Sequence, residues 1–366
     1  MKKFCVAGFG EVMLRLSPPG GKRFAQALPG ALESSFGGGE ANVCASIAML
    51  GGESRYLTAL PDNPVARAFA AQLRGIGCDV SHIRYTAAGR MGVYYAEHGS
   101  NMRGSSVIYD REGSVISRLG AAEYDFAAML DGVTHLHLSG ITPSLSRNAF
   151  EATLALAEKA SSLGITVSVD LNYRKKLWEW EPGTAKNELA RRCMDEIVRY
   201  ADLIIGNEED ASDVFGIRAP DTEVEAGKLN VAGYRSVAAE LSAKFPRSRF
   251  VAITLRESVS ANCNRWGGML YDCAAREAYF APLDDSGAYS PYAITDIVDR
   301  FGGGDSFCAG LIFALNTPEL GAPATAIRFA AASSALKHTI ATDYNFTSRG
   351  EVENLMRGSV SGRVQR

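Results

Sequence analysis

Between residues 133 and 255 the chain alternates short apolar runs with longer amphipathic ones, and that rhythm restricts the fold more than any other feature. Residues 133–138 (VTHLHL), 165–170 (ITVSVD), 203–206 (LIIG) and 250–255 (FVAITL) read as strands, with helical patterns over 146–163 and around 188–200. Strands joined through helices build a mainly parallel sheet covered on both faces. Ligands of such sheets bind beyond the carboxyl ends of the strands. The residues that follow each run are Ser139-Gly140, Asn172-Tyr173-Arg174, Asn207-Glu208-Glu209-Asp210 and Arg256-Glu257-Ser258, all polar, charged or glycine. His135 and His137 share one strand face, but no third ligand is spaced to complete a metal site with them. A packed sheet surface is the better reading.

Two glycine runs each precede a helical pattern. The first, FGGGEANV at residues 36–43, leads into a helix with Val43, Ile47 and Leu50 on one face and Asn42 one turn in. The second is DRFGGGDSFCAG at residues 299–310, where Phe307, Leu311 and Ala314 mark a buried helix. Glycines at a helix start let the backbone approach a ligand and aim its N–H groups outward. With the positive end of the helix dipole, Gly302, Gly303 and Gly304 suit an anion such as phosphate. Asp305 then stands where a carboxylate would repel that anion. Accepting the proton of a hydroxyl that attacks phosphorus would justify it; capping the helix is the plainer alternative.

The flanking segments carry the rest. Residues 4–10 form a first strand, and 11–36 read as exposed hairpin material broken by Pro18-Pro19-Gly20-Gly21. A short strand over 56–60 and an amphipathic helix over 63–77 follow. Two strand-like pieces at 92–97 and 106–110 suit a hairpin, with Tyr94, Tyr109 and Arg111 as a small aromatic and cationic face or as ordinary cross-strand packing. Residues 178–182 and 217–234 read as surface excursions, 326–337 as an Ala-rich helix, and 357–366 as a frayed tail. The organisation expected is one domain over 1–356, with lid strands from about 11–36 and 91–111.

The 366 residues carry a net charge of −3, which gives no footprint for nucleic acid or an anionic membrane. Seven cysteines stand singly with no CxxC pair, so a reducing compartment and no zinc site are expected. No apolar run is long enough to span a membrane and the first residues read as a strand, so a cytoplasmic location is expected.

No GxxxxGK[ST] phosphate loop occurs, Met13 stands where the third glycine of a dinucleotide fingerprint would be, and no protein-kinase catalytic-loop motif is found. GGGEANV and DRFGGGDSFCAG, about 260 residues apart with a strand–helix rhythm between, resemble the two signatures of the PfkB, or ribokinase-like, carbohydrate kinases. Within that family SPPG, LPDNP, VIYDREGS, HLSGITP and DLNYRKKLW are most similar to 2-keto-3-deoxygluconate kinases. The resemblance implies an α/β fold with a small β-sheet lid, and ATP-dependent phosphorylation of a sugar-acid hydroxyl with Mg²⁺ on the phosphates. A monovalent cation is a further candidate cofactor, and a homo-oligomer formed through the lid is the implied assembly. Gly302–Gly304 would form the anion hole, Asp305 the base, and Asp299 would support the turn. Gly38, Asn42, Tyr94, Tyr109, Arg111, Arg174 and Asp343 match substrate contacts. Asn172, Asn207, Arg256 and Ser258 match nucleotide positions, Asp210 a metal-associated one, and Glu11 a position set against sugar hydroxyls. The alternatives are another kinase of the group, acting on fructose, ribose or a 5-dehydro-2-deoxygluconate, and a non-catalytic sugar sensor.

A carboxylate substrate needs cationic, preferably planar donors, and Arg111 and Arg174 each follow a strand, which favours an acidic sugar. Four positions depart from the family pattern. Asp210 shortens the usual NxxE carboxylate, Arg300 replaces a small residue, Glu257 stands where glycine is common, and Ala331 where some relatives carry Asn.

Overall fold

The computed structural model describes residues 4–219 and 233–358. The expected tail beyond residue 358, and most of the excursion over 217–234, lie outside these residues. The parallel part of the main sheet runs, in spatial order, through Phe250–Ser260, Leu203–Gly206, Thr166–Asp170, His135–Ser139, Cys5–Phe9 and Glu53–Leu57. Three strands the sequence pattern did not reveal in full extend it antiparallel beyond Phe250–Ser260. Cys263–Asp272 pairs with that strand, and Glu277–Ala281 and Tyr292–Ile294 both pair with Cys263–Asp272. They are hard to read because glycine, asparagine and arginine interrupt their alternation.

The second sheet is the lid. Its strand order is Glu33–Gly37, Met13–Ser17, Gly92–Glu97, Ser106–Asp110, so both expected lid segments enter one four-stranded sheet. The start of the 11–36 segment is less exposed than expected. Met13, Arg15 and Ser17 are buried on one face of their strand.

Helix boundaries follow local chemistry. Pro64–Ile76 starts with Asn63 accepting from the Ala66 N–H and ends at left-handed Gly77. Arg147–Ser162 starts under Ser146, which accepts from the Ala149 N–H. Gly303–Leu315 is apolar all round because Pro323–Lys337 covers one side and the sheet the other. Phe307 and Leu311 are fully buried there, each contributing roughly 1.5–3 kcal/mol of transfer free energy. One reading is overturned. Trp178 is no surface residue: it is 1% exposed in the largest apolar cluster. His135 and His137 each lie within hydrogen-bonding distance of the Ser168 hydroxyl, and burial pushes each ring down to about 3. They are neutral packed residues.

Candidate active site

Two cavities open beside the carboxyl ends of the parallel strands and share a wall. One, of about 340 Å³, lies under the lid and reaches Glu11, Asn42, Tyr94, Tyr109, Arg111 and Asp343. The other, of about 300 Å³, lies over the strand ends and reaches Asn207, Glu208, Asp210, Arg256 and Trp266. Asn172, Arg174, Phe301, Gly302 and Asp305 line both.

The shared wall is the second glycine run. Gly302 has φ +77°, the left-handed conformation that glycine enters without penalty, and a Cβ there would collide with the Asp343 carbonyl. Gly302 is the N-cap, and no side chain caps the helix, so the first-turn N–H groups have no intrahelical acceptor. The capping alternative for Asp305 therefore falls. Its Oδ2 instead accepts from Asn42 Nδ2 at 2.6 Å, across to the first turn of the other glycine-led helix, Gly39–Met49. Burial pushes the Asp305 carboxyl up to about 6, against the Asn42 hydrogen bond, with the Asp343 charge raising it further. It remains ionised at neutral pH.

Asn42 Oδ1 also accepts from the Gly38 N–H at 3.3 Å. A side chain at Gly38 would meet the Glu11 carbonyl, so the lid strand and this helix start can approach only through glycine. Glu11 is buried, receiving Arg111 Nε at 2.7 Å and the Ser114 hydroxyl. Arg111 therefore reaches the lid-side cavity with its charge already matched. Arg174 is different: it is exposed, and among the described residues the one hydrogen bond its side chain makes is Nη1 to the Tyr173 carbonyl at 3.0 Å. Lys175 and Lys176 line the same end of that cavity. Tyr94 donates to Asp343 at 2.7 Å and stands 6.1 Å from the Tyr109 ring.

On the strand-end side, Asn172 has φ +39°, a conformation asparagine tolerates better than most residues. Asn207 Oδ1 accepts from the Glu209 and Asp210 N–H groups, and Asp210 accepts from the Asn207 and Tyr173 N–H groups. Arg256 pairs with Glu208 Oε1 at 3.3 Å. Arg300 ties down the hairpin tip through the Ser260 and Ala261 carbonyls. Ser258 is not gathered with the rest; it is exposed further along the hairpin strand and lines neither cavity. Ala331 is fully buried.

Sequence reasoning passed over four buried groups. Arg15 reaches inward from the lid to Asp343 and Asp299, and Lys337 is fully buried beside Gly302. Glu40 accepts from the Ser139 hydroxyl at 2.6 Å, and burial pushes it up to about 7. Trp266 lines the strand-end cavity. Alternation along MLRLS puts Arg15 on the face of Met13 and Ser17, but the sequence does not say which face is inside.

Residues 5–251 match the pfkB family of carbohydrate kinases. That match covers well over half of the chain. The protein belongs to the PfkB family. The match ends before the second glycine run, but similarity to individual relatives spans it. A 2-dehydro-3-deoxygalactonokinase of Haloferax volcanii is 31% identical over 97% of this chain and 97% of its own. The crystal structure of the 2-dehydro-3-deoxygluconokinase of Thermotoga maritima superposes with a TM-score of 0.86 at 38% identity, covering 97% of this chain and 99% of the other. A 2-dehydro-3-deoxygluconokinase of Thermoproteus tenax is 29% identical over 59% of this chain and 63% of its own. This PfkB protein is an ATP-dependent carbohydrate kinase with the ribokinase-like fold. Among the described residues no helix is long and apolar enough to cross a membrane.

Proposed function

We propose that this kinase transfers the terminal phosphoryl group of ATP to a hydroxyl of 2-keto-3-deoxygluconate. The observation that carries the reading is the shared wall: Asp305 and Gly302 face both cavities at once. The sugar acid takes the lid-side cavity and the nucleotide the strand-end cavity. Asp305 accepts the proton of the attacking hydroxyl, whose oxygen bonds to the γ-phosphorus as the bond to the bridging oxygen of ADP breaks. The free first-turn N–H groups of Gly302–Gly304 and the helix dipole stabilise charge on the transferred group. Tyr94, Tyr109, Asn42 and Gly38 shape the sugar site, with Asp343 and Glu11 facing sugar hydroxyls. Arg174 takes the substrate carboxylate, with Lys175 and Lys176 beside it. Asn172, Asn207 and Arg256 serve the nucleotide.

Magnesium fits the strand-end cavity on one ground. Among the described residues Glu208 Oε2 is buried there without a hydrogen-bond partner, while Oε1 pairs with Arg256, so one carboxylate oxygen is open to a ligand cation. Among the described residues no cluster of three or more acidic, His or Cys ligands would hold a metal without the nucleotide. Glu208 and Asp210 would hold the ion carried on the phosphates, which supplies charge neutralisation there.

A second reading is the galacto epimer, which the name of the Haloferax volcanii relative favours, and a panel of sugar acids with coupled ADP detection separates the two. The outer lid strand Ser106–Asp110 exposes Ile108 and Tyr109 along a sheet edge, which supports a homo-oligomer through the lid. Sedimentation velocity returning a monomer would remove that part. The decisive variant is Asp305→Asn: turnover should fall on the order of 10²–10⁴-fold with the fold intact. Near-normal turnover rejects the assignment.

A further inference from the structure

Arg15 is the point where the lid meets the glycine turn. Its guanidinium is 3% exposed and uses most of its donors on four segments. Nε donates to Ser17 Oγ at 3.1 Å within its own strand, and Nη1 donates to Asp343 Oδ1 at 2.8 Å. Nη2 lies 2.9 Å from Asp299 Oδ2 and 2.8 Å from Nε2 of His98, the residue just after the lid strand Gly92–Glu97. The guanidinium carbon sits 4.5 Å from the Phe301 ring centre. Burial works against the charge, yet the Asp343 and Asp299 carboxylates hold Arg15 above its ordinary range.

The two carboxylates it grips shape the turn. Asp299 accepts from the Phe301 N–H and the Thr342 N–H, both at 3.0 Å, and so fixes the chain entering and flanking the glycines. The Asp343 carbonyl packs directly on Gly302, and Lys337 Cε lies against the same glycine. Asp299 and Asp343 are thus both paired with Arg15 from the lid, while the buried Lys337 of the body donates to the Ile340 carbonyl beside them.

We propose that Arg15 is a positioning residue: it ties the lid to the Asp299–Gly302 turn and so fixes the amides that receive the transferred phosphoryl group. This rests on the assignment of Gly302–Gly304 as the anion hole. A planar fork can hold two carboxylates from separate loops at once; an ammonium offers a point charge and no such span.

The test is Arg15→Lys, with Asp299→Asn as a second variant that loosens the same contact from the body side. The first readout needs no substrate: amide hydrogen exchange over residues 299–304 should rise at least tenfold in either variant, with the sheet strands unchanged. The second is kinetic, on whichever acceptor the wild type phosphorylates. Turnover should fall about tenfold or more while KM for either substrate moves less than about threefold. The double variant should lose no more than Arg15→Lys alone, because Asp299→Asn removes one of the contacts that Arg15→Lys already loosens. Unchanged exchange over 299–304 overturns the inference, as does a KM increase for the sugar with turnover intact, which would make Arg15 a lid residue only. If one variant fails to fold, the other reads the same turn. A wild type that phosphorylates no sugar acid would sink the function proposed above, while the exchange measurement would still decide on Arg15.

Discussion

The two cavities are built on opposite principles. On the lid side, charges are matched before any ligand arrives: Glu11 with Arg111, Asp343 with Arg15 and Tyr94. On the strand-end side, polar groups wait: among the described residues Glu208 Oε2 and Trp266 Nε1 are buried with no partner, and Arg256 holds one loose ion pair. A preorganised wall discriminates, because a ligand that fails to match leaves buried groups unpaired. An unfinished wall gains its hydrogen bonds from the ligand. Under the function proposed above, the molecule would read the sugar with a rigid side and accept the nucleotide with a completing one. Arg174 stands between, facing both with no ion pair among the described residues, its charge acting on Asp305, Asp170 and Asp210 from a distance.

The largest effect should come from that uncommitted cation. Arg174→Ala leaves a substrate carboxylate without its planar donor, costing about 2–5 kcal/mol in kcat/KM for the sugar acid. A neutral analogue such as fructose should lose far less. Arg111→Ala should behave differently. Its charge is already spent on Glu11, so removing it strands a buried carboxylate and weakens acid and neutral sugars alike. Steady-state kinetics on both substrates reads the contrast. Equal losses for acid and neutral sugars in Arg174→Ala would place the carboxylate elsewhere and erase the distinction between the two arginines.

The next effect is a pH dependence seated at the shared wall. With its carboxyl pushed up to about 6, Asp305 must be ionised to accept a proton, so kcat/KM should level off above pH 7 and fall about tenfold per unit below 6. The same shift has a stability consequence of opposite sense. A carboxyl whose folded value lies above its ordinary 3.8 favours the fold when protonated, and that contribution is lost as pH rises through about 6. Asp305→Asn should therefore raise stability at pH 8 by on the order of 1–3 kcal/mol and change little at pH 4. Denaturant midpoints at the two pH values measure it. A variant equally stable or weaker at pH 8 would show that Asp305 is at ease in the wall.

Much of this was legible along the chain, and what was not has a physical reason. Gly302–Gly304 with Asp305, and Gly38 with Asn42, could be read because helix starts are local events and their glycines mark close approach. Arg174 and Asn207 could be read because parallel strands deliver their following residues to one edge. Arg15 could not, since its partners Asp299 and Asp343 lie hundreds of residues away and alternation does not say which face is covered, and Lys337 reads as an ordinary polar end of a helix until Gly302 is packed against it. Trp178 was misread because charged and proline neighbours surround it, while its own ring enters the core. Ser258 was misplaced because the strand Phe250–Ser260 runs on past the cavity as half of a long hairpin.

The smallest effect separates the cavities most cleanly. Trp266 sits opposite Arg256 on the hairpin, 4% exposed, with its ring 4.9 Å from His338 and, among the described residues, no acceptor for its N–H. A buried donor without a partner costs roughly 1–3 kcal/mol, so an empty cavity carries that burden in the absence of nucleotide. If the nucleotide supplies the acceptor, Trp266→Phe should raise KM for ATP several-fold and leave KM for the sugar acid unchanged. The ring itself keeps most of its packing, so stability should hold or rise slightly. Should KM for ATP stay put while the fold gains stability, the indole N–H meets nothing in the complex, and the strand-end wall is finished without it. Should the sugar KM move as much as that of ATP, the two cavities respond as one, and the division into a rigid reader and a completing wall fails.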